Sequence, residues 1–397
     1  MNQRQNHNKL LVFNEHVHQA ILKIVQARVP LEISARDLDD RKLWEILCHA
    51  SVKQGYIESS CRVLDEAPSG NTVRPHLIEA LGDDHQALER LEAELNQALQ
   101  AQLPQAVRRK LHSRAWEAAG DWVDIPYYGK DGEEDKNVRP NQPKAGTTRF
   151  HAYATLAVIH KGKRVTLALT VVQKGEKMDQ IVKRLMARAR DLGARFKCTY
   201  WDKAFGVVNV MRYLRACRVP YVIALAQQGI RRLCVGRCSR HARYTFNAKK
   251  EPYTTDVVIA CHYAGRASKR RPKKKRKGLR YYAYAVYGVG GRSASAISAA
   301  YRRRFSIESG YRQLHQVRAR TRSRHTGLRL LLVGLALLLV NLYVLLRASW
   351  TIVTHYGSRI CRRAVTLDEV ATALLEQIQL LLGFAPEFCC RADCLSS

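Results

Sequence analysis

Apolar residues recur at helical spacing over residues 8–29 (Leu11, Val12, Ile21, Ile24, Val25) and predict a helix there. Asp39 stands where an N-cap belongs, ahead of a second helix through Trp44, Leu47 and Val52. The stretch APSGNTVRPHL (67–77) punctuates the pattern and restarts a short helix near Thr72. Residues 83–112 read as helices broken near Pro104, with acids at the first N-terminus. Residues 1–115 are therefore expected to be a helical DNA-binding or accessory domain, with a helix-turn-helix open as one arrangement.

The texture changes at Asp121. DWVDIPYYG reads as a buried strand and a turn, and 131–148 as a polar loop. RFHAYATLAVIH and KRVTLALTVVQ form two strands around Lys161-Gly162-Lys163, a hairpin signal. A helix over 178–193, a strand over 196–201, a helix over 206–219 and a strand over 221–226 follow. That order predicts an α/β fold, a mixed sheet with helices packed on it. The first part of this core spans 116–229. Residues 230–291 carry short Tyr-rich and Val-rich strands and read as a β-rich basic insertion. Residues 292–350 return to the core, helical from Ser293 to about Arg324 and again to about Trp350. Residues 351–397 are a tail with one helix near 367–382.

The run LLLVGLALLLVNLYVLL (330–346) has 17 residues, at the lower limit of a membrane span, and contains Asn341. A buried core helix is the better reading, with no membrane partner, because the helix before it is arginine-rich. The 11 cysteines are too sparse for a disulfide scaffold, and the N-terminal sequence lacks a signal-peptide pattern. A reduced, cytoplasmic, nucleoid-associated protein is expected.

Charge sharpens the picture. The chain has a net charge of +33, which points to a polyanion, nucleic acid above all. The excess is uneven: residues 1–110 hold 14 Lys+Arg and 15 Asp+Glu, residues 111–397 hold 53 and 19. Between Lys203 and Leu367 only Glu251, Asp256 and Glu308 are acidic. An acid among arginines suits a metal ligand, because a divalent ion held against phosphate needs hard carboxylate oxygens.

Three acids fit that role. Asp124 and Asp202 end predicted strands, where side chains of an open sheet converge on a ligand. Each could equally be a turn former. Glu308 lies on a predicted helix, where Tyr301, Arg304, Glu308, Arg312 and His315 follow at spacings of 3, 4, 4 and 3 and share one face. Ion pairs on a surface helix are the plain alternative. Three such carboxylates can hold two divalent ions, Mg²⁺ by preference and Mn²⁺ as a substitute, for in-line displacement at phosphorus.

YRRRFSIESGYRQLHQVRART closely resembles the Y-x2-R-x3-E signature of DDE transposases from bacterial and archaeal insertion sequences. DWVDIPYYG is similar to the first-Asp motif of that family and TYWDKAFG to the second. Asp202 lies 78 residues after Asp124 and Glu308 lies 106 after Asp202, the second gap leaving room for an insertion. The resemblance covers about 118–350. It implies a ribonuclease-H-like core with helices on both faces and a β-rich insertion before the Glu. It also implies metal binding by Asp124, Asp202 and Glu308, contact of Tyr301 and Arg304 with the transposon end, and a homodimer pairing two DNA ends. The family usually has a Lys seven residues after the Glu, where this chain has His315.

The expected activity is cleavage of insertion-sequence ends and their joining to target DNA. A related nuclease without strand transfer and an inactive DNA-binding regulator are the alternatives. Arg312, His315, Arg318 and Lys203 join the expected DNA contacts, with Lys273, Lys274, Lys275 and Arg276 of the run KRRPKKKRK (269–277). Cys234, Cys238, His241, Cys261 and His262 lack the paired spacing of a zinc site, and so does the cluster Cys389, Cys390 and Cys394.

Overall fold

The computed structural model describes residues 2–103, 105–129, 135–160, 163–246, 251–264, 278–303, 312–356 and 359–384. The chain divides into two units, one formed by Met1–Gln102 with Arg312–Ser397 and the other by Leu103–Tyr311. The second unit holds 45 of the 67 Lys+Arg but only 14 of the 34 Asp+Glu, so it carries nearly all the excess charge.

The first unit opens with α1 (Asn2–Arg28), a two-residue hairpin of β1 (Ser34–Ala35) and β2 (Leu38–Asp39), and α2 (Asp40–Val52). The Asp39 carboxylate accepts a hydrogen bond from the Lys42 N–H at 2.7 Å, the cap its position predicts. Then come α3 (Ile57–Val63), α4 (Gly70–Leu81) and α5 (His85–Ala101). Ser69 caps α4, three residues before the restart expected at Thr72, by accepting from the Thr72 N–H at 3.2 Å.

The second unit begins with α6 (Gln105–Ser113) and β3 (Ala115–Pro126), followed by β4 (Val138–Lys144), β5 (Thr147–His160) and β6 (Lys163–Val172). The polar stretch expected to be loop thus contains a strand. Val138 is buried, and β4 pairs antiparallel with the start of β5. Helix α7 (Met178–Asp191) leads to β7 (Arg195–Trp201), α8 (Val208–Ala216) to β8 (Tyr221–Ala224), and the short α9 (Gln227–Ile230) to β9 (Arg240–Phe246). β10 (Tyr253–Ala264), β11 (Gly278–Tyr287) and α10 (Ala294–Arg303) complete the unit.

Nine strands among the described residues form one sheet in the order β4-β5-β3-β7-β8-β11-β10-β9, with β6 also on β5. β3, β7 and β8 are mutually parallel, and β5 is antiparallel to both of its neighbours, β3 and β6. The path β6-β5-β3-β7-β8 is the ribonuclease-H-like arrangement. The strands of 230–291 do not make a separate sheet: β11 pairs with β8, and the β11-β10-β9 ladder prolongs the same sheet.

Both faces are covered. On one, Ile297, Ala300 and Tyr301 of α10 pack with Ala119, Cys198, Tyr200, Val222, Val258 and Tyr284. On the other, the Arg184 guanidinium of α7 donates to Thr170 Oγ1 at 2.9 Å, and Arg215 of α8 stands 5.5 Å over the Tyr287 ring. Alternation along each strand decides which residue meets which layer.

At residue 312 the chain rejoins the first unit. Residues 312–316 are helical, but the helix expected to reach Arg324 stops there, and 317–325 belong to no helix or strand. Helix α11 (Thr326–Ser349), hairpin β12 (Thr351–Tyr356) and β13 (Arg359–Ala364), and α12 (Leu367–Leu382) follow. Residues 312–350 therefore pack with the N-terminal helices, not with the sheet where the sequence reading put them. The reason is apolar surface. α11 is apolar on all sides and long enough to span a membrane, yet its most apolar stretch is 94% buried. Gly334 faces Leu95 so closely that an added Cβ would lie 2.5 Å from the Leu95 side chain. Gln102 donates to the Leu338 carbonyl at 2.9 Å.

Candidate active site

The site is built from the ends of two parallel strands. Ala119 of β3 is the register partner of Tyr200 of β7, and Gly120 that of Trp201. One further step sets Asp121 opposite Asp202, whose backbone is still extended (φ −69°, ψ 167°). Ala119 and Tyr200 lie beneath α10. Side chains two residues on return to the same side, so Asp121 and Asp202 both project on the α10 face.

Local contacts fix both acids. Asp202 caps a 3₁₀ turn, Lys203–Phe205, and accepts from the Lys203 N–H at 2.6 Å. Asp121 is 5% exposed and accepts from the Trp122 N–H at 2.8 Å. Gly120 is required between the strands. The Trp201 ring crosses it on the far face, and a Cβ there would lie 2.0 Å from a ring carbon. Trp201 is held by its Nε1 donating to Thr199 Oγ1 at 2.8 Å and by packing on Phe205 at 5.1 Å.

The neighbouring strand adds a cation. Asp121 pairs in register with Thr155 of β5. Arg164 of β6, only 8% exposed, donates to Thr155 Oγ1 at 3.1 Å. Thr155 thus ties the strand beside Asp121 to a buried guanidinium two strands over. On the other side of Asp121, Glu117 accepts from the Tyr200 phenol at 3.2 Å, and burial pushes the Tyr200 pKa up so that this donor stays protonated.

Asp124 is not part of this arrangement. It lies three residues beyond Asp121, so its side chain is on the opposite face. There Trp122 Nε1 and Asn141 Nδ2 donate to its two oxygens, each at 2.7 Å. The Arg139 guanidinium stacks over the Trp122 ring at 4.3 Å, and burial lowers its pKa although Asp124 opposes the shift. Asp124 orders a strand edge and β4.

Tyr301 is also an inward group. It is 5% exposed, lies 4.7 Å from the Tyr284 ring, and its phenol donates to the Trp201 carbonyl at 3.3 Å. It seats the end of α10 at the residue before Asp202 and is not exposed for DNA contact, contrary to the expectation for this side chain. Lys203 is exposed beside Asp202, and Arg302 and Arg303 are exposed on α10. Arg312 and His315 are exposed and Arg318 half-buried in the other unit. Arg304, Glu308, Lys273, Lys274, Lys275 and Arg276 lie outside the described residues, as do Cys389, Cys390 and Cys394.

Among the described residues no three His, Cys, Asp or Glu side chains gather as a metal site. His241 Nε2 is 3.1 Å from the Arg292 carbonyl and His262 Nε2 is 3.2 Å from Ser298 Oγ, so neither joins a thiol cluster.

The profile of the transposase DDE domain matches residues 115–343. The chain belongs to the DDE transposase family. The matched segment begins at the first residue of β3 and spans both acids of the strand pair. No curated protein matches the chain. Among solved structures it is similar to a piggyBac transposase, seen in a cryo-EM structure of a synaptic complex with hairpin DNA. Identity is 10%, the TM-score is 0.51, and the match covers 93% of this chain and 78% of that one. The likeness supports the ribonuclease-H-like fold of this DNA transposase.

Of the two acids in DWVDIP, the sequence reading chose Asp124, whereas the strand parity sets Asp121 on the face of Asp202. The two acids have opposite parity, and only Asp121 shares that of Asp202 and the α10 face. The available signal was Gly120. A glycine just before an acid, in a strand, marks a close approach by another group.

Proposed function

We propose that this transposase cleaves the ends of an insertion sequence and joins them to target DNA, with Asp121, Asp202 and Glu308 as the carboxylates of its catalytic centre. The observation that carries this reading is the parallel register of β3 and β7, whose last pair, Gly120 and Trp201, lies one residue before Asp121 and Asp202, both of the parity that faces α10. Glu308 is assigned by the sequence motif and by its position seven residues after Tyr301, whose contact with Trp201 anchors the preceding helix.

The donor set fits a divalent ion. Two adjacent carboxylates, one of them buried, repel each other unless a cation lies between or beside them. Carboxylate oxygens are the donors Mg²⁺ and Mn²⁺ prefer. Bound there, such ions would supply Lewis acidity and charge neutralisation for displacement at phosphorus. The chain's own groups hold the geometry: Gly120 lets Trp201 lock the two strand ends, Tyr301 fixes α10 to β7, and Lys203, Arg302 and Arg303 offer cations to the phosphate backbone. Two copies pairing two ends is the expected assembly, in keeping with the similar piggyBac structure, a synaptic complex.

The test is a cleavage and joining assay with the full chain, on DNA carrying the inverted repeats that flank its coding region. Nicked and joined products are expected in Mg²⁺ or Mn²⁺ and not in EDTA, and pre-cut ends should be joined. Cutting without joining of pre-cut ends would reduce the activity to that of a nuclease. Glu308→Gln should abolish both products and leave DNA binding intact.

A further inference from the structure

The helical unit bears little net charge of its own, yet one line of arginines runs along it. Residues 317–325, VRARTRSRH, form no helix or strand and carry arginine at 318, 320, 322 and 324. Alternation in an extended chain sends these four to one side and Ala319, Thr321 and Ser323 to the other. Exposure follows that division: Arg320, Arg322 and Arg324 are exposed, Ala319 is fully buried and Thr321 and Ser323 are half-buried.

The backbone is pinned although it belongs to no sheet. The Arg320 N–H donates to the Gly55 carbonyl at 2.8 Å. The Ser323 N–H donates to Thr321 Oγ1 at 3.0 Å, and the Arg329 Nε to the Ser323 carbonyl at 2.8 Å. His325 ends the segment by accepting from the Leu328 N–H at 3.0 Å and pairing with Asp83 at 2.6 Å. The Arg322 guanidinium lies 5.5 Å over the Tyr56 ring.

No acid occurs in the sequence between Glu308 and Asp368. Among the described residues, neither Arg320 nor Arg322 is in ion-pair distance of a carboxylate. Exposed arginines normally gain little from a fixed position and lose side-chain entropy by it. Here the backbone has already been ordered, and two residues of extended chain rise about 6.6 Å. That spacing is comparable with the separation of successive phosphates along one strand.

We propose that Arg320 and Arg322, continued by Arg324, form a phosphate rail by which the helical unit grips one strand of duplex DNA. The inference rests on the transposase reading above but concerns a surface distinct from the catalytic carboxylates. It also answers how a nearly neutral unit contacts DNA: its cations come from the chain segment that rejoins it after the sheet.

The test measures binding of the full chain to a short duplex of arbitrary sequence, as a function of salt. Each lost phosphate contact lowers the slope of log K against log salt by about 0.9. The double variant R320Q/R322Q is expected to lower the slope by about 1.8, so that the wild-type advantage shrinks about 12-fold between 50 and 200 mM salt. R320K/R322K should keep a slope close to wild type, since the point charges remain. An unchanged slope in the glutamine variant overturns the rail, and so does an equal loss in the lysine variant, which would mark a packing role. A wild-type chain that binds no duplex at all would instead overturn the transposase reading.

Discussion

Asp121 and Asp202 each stand one residue beyond Gly120 and Trp201, the last register pair of two parallel strands. The relationship makes Gly120 as much a part of the site as the acids. Its missing side chain leaves room for the Trp201 ring, and the strand pair it closes leads both acids out on the face that carries α10.

Gly120→Ala should therefore damage both stability and activity. The added methyl would have to displace a buried indole, an overpacking defect of about 1–3 kcal/mol. For a unit of this size that corresponds to a fall in Tm of roughly 2–4 °C per kcal/mol. Differential scanning calorimetry should record the drop, and cleavage should fall further than the unfolded fraction explains.

Tyr301→Phe removes only the hydroxyl that donates to the Trp201 carbonyl. The ring keeps its packing on Tyr284 and Tyr200, so folding should survive. Loss of a single neutral hydrogen bond costs about 0.5–1.5 kcal/mol. A modest loss of Tm with unchanged DNA affinity is expected. A large loss of affinity would instead make the phenol a DNA contact.

Much of this fold was legible in the chain. Apart from β4, the succession of strands from β3 to β8, the cap at Asp39 and the helix over 367–382 follow from periodicity and capping chemistry. What was not legible depended on partners distant in sequence. Whether α11 joins the sheet or the bundle cannot be read from a helix apolar on every side. The face of each acid on β3 is fixed only by the register with β7. The halt of the helix at 316 follows no proline or glycine, since the anchors of the segment after it, Gly55 and Tyr56, lie far away in the sequence.

The burial of α11 has a direct consequence. Gly334→Val should drive a branched side chain into Leu95 and lower the thermal stability of the helical unit. Wild-type chain should stay at the bottom of a flotation gradient with phosphatidylcholine vesicles. Vesicle-bound chain, with no effect of Gly334→Val on Tm, would mean that α11 lies in lipid.

Acid sensitivity should come partly from His49. Burial pushes its pKa down to about 4, and Nδ1 lies 2.9 Å from Ser60 Oγ. An unfolded histidine titrates near 6.5. As pH falls from about 6.5 to 4 the unfolded chain takes up a proton that the folded chain refuses, so stability declines across that window. Wild-type Tm should fall between pH 7 and pH 5, and His49→Gln should fall less. An identical decline in both would remove His49 from the account.

The most direct measurement compares Asp121→Asn, Asp124→Asn and Asp202→Asn in one cleavage assay, with DNA affinity recorded for each. Asp121→Asn and Asp202→Asn should each reduce cleavage by roughly 100-fold or more, the loss expected when an ion worth several kcal/mol to the transition state is no longer held. Affinity should change little. Asp124→Asn should cleave at close to the wild-type rate. Loss of cleavage in Asp124→Asn with near-normal cleavage in Asp121→Asn would contradict the assignment.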